Sequence, residues 1–241
     1  MSAAPNPKTR KPREVREMFA RIAPGYDKIN RAMTFGLDLL WRKSLARRAA
    51  AAAEGSALPV LDLACGSGDA ALAVLKASPS AKIVCCDLCP EMLAEAERKI
   101  AAAGFKSRAS FVLADAQNMP FADSSFCACA IAFGFRNFQN RKECLLEIRR
   151  VLADSAPLII LEVARAPKII APAQNFFMEK IMPRIASAFG GNIDDYKYLA
   201  KTTRDFPPQR ELESLVESCG FKDVKTRRFA LGFTALTVSK K

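Results

Sequence analysis

The chain has 241 residues, 50% of them hydrophobic, and its 37 Lys and Arg against 25 Asp and Glu give a formal net charge of +12. This suits one sizeable α/β core with a small appended subdomain, and no apolar run is long enough to cross a bilayer. The chain has no histidine, which removes the commonest general base and the usual catalytic triads.

Along the chain, "MSAAPNPKTRKPREVREMF" lacks the apolar centre of a signal peptide. It predicts a disordered basic tail over residues 1–12 ahead of a helix, and a cytoplasmic protein. Residues 13–53 are helical by period, with Val15, Met18, Phe19 and Ile22 on one apolar face. From residue 57 onward, strand-length apolar runs alternate with helical patterns, as in a mostly parallel α/β sheet. The predicted strands are Pro59–Leu63, Lys82–Cys86, Ser110–Leu113, Cys127–Ala132, Leu158–Val163, Asp223–Arg228 and Thr234–Ser239. Helices are predicted over Ala70–Ala77, Pro90–Ala102 and Arg141–Leu152, the last capped by Asn140. Residues 167–206 interrupt the alternation with an amphipathic insertion carrying Phe176, Phe177, Ile181, Met182, Ile185 and Phe189. The helical segments 13–53 and 167–206 admit two readings, ordinary core or a lid over an apolar substrate pocket. Residues 13–241 read as a single domain.

The charge favours anionic partners, but the basic residues are spread along the chain, so a solvated basic surface is the alternative. The eight cysteines sit in apolar runs and read as buried thiols. Cys86 and Cys89 form a C-x-x-C that leaves a redox pair or half a zinc site open, although no second C-x-x-C completes a metal site.

"VLDLACGSGDA" (Val60–Ala70) runs from an apolar strand containing Asp62 into Gly66-Ser67-Gly68 and then a helix. Glycines there let the turn tighten and a ligand approach the backbone. The next strand ends at Asp87, placed to accept hydrogen bonds from ribose hydroxyls, and the third is followed by Asp115-Ala116, placed at an adenine edge. Ala71 stands where a dinucleotide fingerprint has its third glycine, and there is no phosphate loop. The set fits a nucleoside ligand without pyrophosphate. In "CACAIAFGFRNFQN" the fourth strand runs into Arg136-Asn137 between two phenylalanines. The pair is either a polar loop reaching water or a place where something is held or deprotonated.

"MFARIAPGYDKINRAMTFGLDLLWRK", "VLDLACGSGD", "FGFRNFQNRKECLLEIRRVL", "LIILEVARAP", "IMPRIASAFGGNIDDYKYLAKTTRDFP" and "CGFKDVKTRRFALGFTALTVSKK" together resemble the C-methyltransferases of ubiquinone and menaquinone biosynthesis, a family of class I S-adenosylmethionine-dependent methyltransferases. The resemblance implies a Rossmann-like, seven-stranded, mostly parallel sheet with its last strand antiparallel. It implies S-adenosylmethionine as cofactor, touched by Ser67, Asp87, Asp115 and Ala116, with Gly66 and Gly68 shaping the turn beneath it. Ala132 stands where many relatives have serine or threonine, leaving backbone contacts there. Asp38 replaces the family's usual histidine before Trp41, "ADSAP" replaces a Lys-Pro-Gly-Gly turn, and Cys65 a common glycine or threonine.

The implied reaction is C-methylation of a prenylated quinol, either demethylmenaquinol or 2-methoxy-6-polyprenyl-1,4-benzoquinol, with demethylmenaquinol favoured. By the same resemblance Arg136 and Asn137 line the catalytic pocket with Tyr26 opposite. A guanidinium does not give up its proton in proteins. Arg136 is therefore expected to polarise a water or the quinol oxygen, with Asn137 and Tyr26 fixing that water. Asp27 is a nearby carboxylate that equally suits a helix cap. The Met18/Phe19/Ile22 face, Met33, Phe35 and the 167–189 insertion are the expected groove for the prenyl tail. A basic exterior would hold the enzyme peripherally at an anionic membrane, and a homodimer or a quinone-biosynthesis assembly are candidate partners. Nucleic acid is not an expected partner, since "FGFRNF" stands where base-amino methyltransferases carry an Asn/Asp-Pro-Pro-aromatic turn. Another small-molecule methyltransferase and a non-catalytic nucleoside-binding scaffold are the remaining alternatives.

Overall fold

The computed structural model describes residues 12–241. Apart from Pro12, which opens the first helix, the expected basic tail lies outside the described residues. Three helices come first, α1 (Pro12–Ile22), α2 (Tyr26–Thr34) and α3 (Leu37–Ala53). Then follow β1 (Val60–Leu63), α4 (Asp69–Ala77), β2 (Ile83–Asp87), α5 (Pro90–Ala102), β3 (Ala109–Leu113), β4 (Ala128–Ala132), α6 (Arg141–Val151) and β5 (Pro157–Val163). Helices α7 (Ala171–Phe176), α8 (Met182–Ala188), α9 (Ile193–Arg204) and α10 (Gln209–Ser218) precede β6 (Lys222–Phe229) and β7 (Thr234–Lys240).

The strands form one sheet in the order β3-β2-β1-β4-β5-β7-β6. The pairs among β1 to β5 are parallel, and β7 lies antiparallel between β5 and β6. This is the expected fold, with strand boundaries displaced by at most one residue. Central strands are covered on both faces, so they read as near-continuous apolar runs. The edge strand β6 instead exposes Lys222, Lys225, Arg227 and Arg228, a charged edge that discourages pairing with other chains.

Three apolar clusters hold the layers together. One face of the sheet buries Phe126, Phe135, Leu145, Ile148, Phe206 and Val216. The other packs α3 and α4 through Leu45, Ala49, Val74 and Leu75 against Val60, Ile83 and Ile159. The third joins α1 and α2 to α5, α8 and α9 through Met18, Ile29, Met92, Met182 and Tyr196. Fully burying a side chain of this kind contributes about 1.5–3 kcal/mol. The third cluster therefore binds the N-terminal helices and the insertion after β5 into one layer.

Within that layer the helix turn Phe177–Ile181 is π-helical. Pro183 explains it: proline lacks an N–H, and its ring crowds the carbonyl four residues back, at Glu179, so the preceding turn widens. Helix α6 starts as expected at Asn140, whose side chain accepts the Glu143 N–H at 3.3 Å.

At the carboxyl ends of β1 and β4 the chain leaves in left-handed conformations at Ala64 (φ 53°) and Phe133 (φ 61°). The two ends approach so closely that a Cβ on Gly134 would lie 2.6 Å from the Ala64 methyl. Strand order reverses here, with β2 on one side of β1 and β4 on the other, which opens the crevice where open α/β sheets bind ligands. Gly134→Ala is expected to destabilise the fold by about 1–3 kcal/mol. Ala64→Gly should restore most of that loss in the double variant. Urea denaturation of all four proteins measures the coupling, and purely additive effects would show that the two strand ends do not constrain each other.

Candidate active site

The loop after β1 is built from backbone constraints. Gly66 (φ 54°) and Gly68 (φ 80°) adopt left-handed conformations, and the Gly68 N–H donates to the Cys65 carbonyl at 3.0 Å. A Cβ on Gly68 would stand 2.8 Å from the Ala96 methyl of α5, so only glycine fits. Beneath the loop, Asp62 is fully buried in β1, and its Oδ2 accepts the Ala71 N–H of α4 at 2.9 Å. Burial pushes the Asp62 carboxyl up to about 7.

Asp87 ends β2 and fastens the loop from the other side. Its Oδ2 accepts the Gly66 N–H at 2.8 Å and its Oδ1 the Cys89 N–H at 2.9 Å. Burial raises its pKa. Each carboxylate oxygen has a second lone pair, so Asp87 can also accept from ligand hydroxyls. Asp115 forms a local turn, accepting the Gln117 N–H at 2.9 Å.

Gly66, Ser67, Asp87, Asp115, Ala116 and Ala132 line one cavity, together with the apolar Leu88, Cys89, Met92 and Ala114. Gly68 lies beneath the wall rather than on it. Counting its open mouth, the cavity encloses about 1050 Å³, ample for a nucleoside-sized ligand. An apolar slot flanked by the carboxylates of Asp87 and Asp115, with Asp69 on the same wall, fits an adenosyl group bearing a cationic sulfonium. Cys86 and Cys89 are both free and buried, and burial pushes each thiol up to about 12, which disfavours the thiolate. Among the described residues no cluster of His, Cys, Asp and Glu is arranged to hold a metal ion.

A charge network ties the N-terminal helices to this loop. The Ser67 hydroxyl donates to Asp27 at 2.6 Å and accepts from Lys99 at 3.2 Å. Lys99 also pairs with Asp27 and, at 2.7 Å, with Asp69. Arg31 bridges Asp38 and Asp69, the latter at 2.6 Å. Arg42 stands 3.6 Å from Asp69 and 3.8 Å from Asp38, which also accepts the Thr34 hydroxyl at 2.9 Å. Burial alone would raise the Asp69 pKa, but Arg42, Lys99 and Arg31 together hold it below the usual carboxylate value. Asp27 is thus a tether in the first turn of α2, and Asp38 has a buried structural task. No sequence motif marks Arg31, Arg42, Asp69 and Lys99 as a network; the local signal that points to it is the i,i+4 spacing of Asp38 with Arg42.

Arg136 and Asn137 sit in a 3₁₀ turn, Phe135–Asn137, directly after β4. Glu162, near the end of β5, fixes that turn. Its Oε1 accepts the Arg136 guanidinium at 2.6 Å and its Oε2 the Arg136 backbone N–H at 3.0 Å, while the guanidinium also donates to the Phe133 carbonyl at 2.7 Å. Arg136 and Glu162 are both buried. Among the described residues, Arg136 Nε and Asn137 Oδ1 are buried without a hydrogen-bond partner, one an unused donor and the other an unused acceptor. Glu162 was also missed, since a single acid in an apolar strand gives no sign of its partner.

The pair faces two spaces. Asn137 lines the cavity of the glycine loop, whereas Arg136 lines a second, largely apolar chamber of about 1200 Å³ counting its mouth. Tyr26, Arg42 and Phe133 line both, so the two spaces meet at these side chains. Arg42 lies over the Phe133 ring at 5.0 Å. Met33, Phe35, Trp41, Phe177, Met178 and Met182 form much of the apolar wall. The expected Met18/Phe19/Ile22 groove is placed differently. Met18 and Ile22 are core residues, and Phe19 lines the glycine-loop cavity. The α1 face is thus spent on packing against α5 and α9.

The model of the ubiE/COQ5 methyltransferase family matches residues 7–241. The demethylmenaquinone methyltransferase of Thermus thermophilus is 38% identical over 92% of this chain and 98% of its own. The ubiquinone/menaquinone biosynthesis C-methyltransferase UbiE of Geotalea daltonii is 33% identical over 97% and 98%. Among solved structures, a putative S-adenosyl-L-methionine-dependent methyltransferase of Methanococcus maripaludis shares the fold at a TM-score of 0.65 and 16% identity, covering 100% of this chain and 97% of that one.

The raised Asp62 carboxyl has a definite sign. Its folded-state pKa lies above the unfolded value, so stability falls as pH rises from about 4 to about 7 and stays low above that. Asp62→Asn keeps the acceptor for Ala71 and removes the charge. Its stability advantage over the parent should be about 2–3 kcal/mol larger at pH 8 than at pH 5. Chemical denaturation at the two pH values tests this, and an unchanged difference would mean that Asp62 titrates normally.

Proposed function

The chain belongs to the ubiE/COQ5 methyltransferase family, and from that premise we propose that Arg136, Asn137 and Tyr26 activate a prenylated quinol, demethylmenaquinol before 2-methoxy-6-polyprenyl-1,4-benzoquinol. The chain is an S-adenosylmethionine-dependent methyltransferase of menaquinone/ubiquinone biosynthesis. The observation that carries the finer reading is the meeting of a nucleoside-sized cavity and an apolar chamber across Tyr26, Arg42 and Phe133, beside Arg136 and Asn137.

In this reading Gly66, Ser67, Asp87, Asp115, Ala116 and the Ala132 backbone hold the cofactor, with Gly68 shaping the turn below. When bound, S-adenosylmethionine supplies an electrophilic methyl group. The residues must therefore make a ring carbon of the acceptor nucleophilic. Loss of the phenolic proton does so, because phenolate charge spreads to the ortho carbon. Arg136 is pinned by Glu162 and keeps an unused Nε–H donor, suited to stabilising the developing oxyanion with little reorganisation. The Asn137 Oδ1 acceptor and the Tyr26 hydroxyl suit a water that carries the proton away. The apolar chamber takes the quinone ring's substituents and the start of the prenyl tail, and excludes water from the reacting atoms. The basic exterior, at +12, suits peripheral binding to an anionic membrane where such lipids reside.

Arg136→Lys should lower kcat by about 10²–10³-fold while S-adenosylmethionine affinity, read by calorimetry, changes little. Arg136→Ala should abolish turnover, but it leaves Glu162 buried without its partner, which costs about 3–5 kcal/mol, so its fold must be verified by circular dichroism. Loss of cofactor binding in a folded Arg136 variant would remove this assignment. Asp87→Ala should do the reverse, weakening cofactor binding at least about tenfold through the loss of charge-assisted hydrogen bonds. Methyl transfer to a naphthoquinol and to a methoxybenzoquinol, run side by side, decides the acceptor. The naphthoquinol is expected to show the higher kcat/KM.

A further inference from the structure

Four large apolar side chains stand in the open around the mouth of the apolar chamber. Phe35, Ile169, Phe176 and Leu231 are 81%, 89%, 60% and 76% exposed. They come from four separate segments: the α2–α3 turn, the strap after β5, helix α7 and the β6–β7 turn. The chamber wall brings these segments together. Phe35 lines it, as do Ala230 and Phe177, the chain neighbours of Leu231 and Phe176. Pro167, two residues before Ile169, lies 3.0 Å from the Cβ position of Gly232.

The backbone at two of these points is strained. Phe35 (φ 52°), Ala230 (φ 47°) and Leu231 (φ 55°) are left-handed, in turns where glycine or asparagine costs least. A bulky apolar residue there strains the backbone and, being exposed, adds nothing to the core. Strain of this sort is kept where the surroundings and a task require it. Among the described residues, the exposed cations Lys168 and Arg228 are in no ion pair, and Arg227 stacks on Phe229 at 5.2 Å. Lys168 adjoins Ile169, and the Arg228 guanidinium comes within 3.7 Å of the Gly232 Cβ position. The apolar rim therefore has a cationic border.

We propose that this rim is a bilayer-docking surface: Phe35, Ile169, Phe176 and Leu231 enter the acyl boundary, while Lys168, Arg227 and Arg228 meet lipid phosphates. The inference rests on the prenylated-quinol reading and deepens it, because a chamber opening inside the rim receives the prenyl tail directly from lipid. Two features select a bilayer over other occupants. The rim is apolar at its centre and cationic at its border, as interfacial lipid-binding surfaces are. The apolar chamber wall also continues into it, so a tail leaving the chamber meets lipid rather than water.

The test is flotation of the full chain with phosphatidylcholine vesicles containing a minor share of phosphatidylglycerol, at low and at high salt. The unaltered protein should float at low salt and keep part of its binding at high salt, since apolar insertion is not screened as surface charge is. Ile169→Ser with Leu231→Asn should lower partitioning about tenfold or more. Neither residue lines the chamber or the cofactor cavity, and asparagine tolerates the left-handed backbone at position 231. This variant should therefore turn over a short-tailed, water-soluble quinol like the parent and lose turnover of a long-tailed quinol held in vesicles. Phe176→Ser repeats the test at a third position. Equal flotation of parent and variants, or complete release of the parent by salt, overturns the proposal. Self-association abolished by the same substitutions, with no vesicle binding, overturns it in favour of a second copy of the chain. Failure of the parent to methylate the soluble quinol would instead strike the quinol reading and leave rim-dependent flotation to be judged alone.

Discussion

The site depends on one buried ion pair, Arg136 with Glu162. A guanidinium taken out of water demands a partner, and the desolvation of both charges roughly cancels their attraction. The pair is therefore better understood as fixing geometry than as adding stability. Glu162 takes both the guanidinium and the backbone N–H of Arg136, so it sets the conformation of the whole 3₁₀ turn. The turn in turn places Asn137 towards one space and Arg136 towards the other, while the guanidinium's bond to the Phe133 carbonyl steadies the left-handed residue at the wall both spaces share.

The two spaces are made in different ways. The glycine-loop cavity is largely backbone and strand ends: two left-handed glycines, a methyl of α5 that excludes any side chain at Gly68, and carboxylates at the ends of successive strands. The apolar chamber is side chains on helices drawn from distant parts of the sequence, α2 and α3 from one end and α7 to α9 from the other. The network from Asp27 to Arg42 fastens the first of these helices to the loop, so the walls of one space are anchored to the floor of the other. Exposed ion pairs contribute little, but here Asp38, Arg42 and Ser67 are buried and Asp69 nearly so, and the arrangement is correspondingly specific.

Much of this was legible in the amino-acid order. The seven strands appear as apolar runs because the central ones are covered on both faces. Gly66, Asp87 and Asp115 stood out because a glycine turn after one strand and acids after the next two are local patterns, whereas Ser67 was singled out by family resemblance. Arg136-Asn137 announced itself as polarity at the end of a buried strand. Glu162 did not, because its meaning lies in a partner 26 residues away, and an acid in a strand looks the same whether it meets water or arginine. Met18 and Ile22 were assigned to the tail groove because periodicity identifies an apolar face without naming what covers it. The π-helical turn before Pro183 was equally hidden, since proline in a helical pattern signals a disruption and not its form. Family resemblance supplied Tyr26, which composition and spacing leave indistinct among residues of a helix start.

The placement of β7 between β5 and β6 has a consequence for how the protein comes into being. During synthesis the first five strands can pair as they emerge, but β6 leaves the ribosome before the strand it must pair with. Until residues 234–240 follow, β5 presents a bare row of peptide groups and β6 has no neighbour. The nascent chain thus passes through a stage with a wide-open, apolar sheet edge, and a pause in translation there would prolong it. Chaperone dependence and losses to aggregation should accordingly concentrate in the interval between the emergence of β5 and that of β7, rather than being spread evenly over translation.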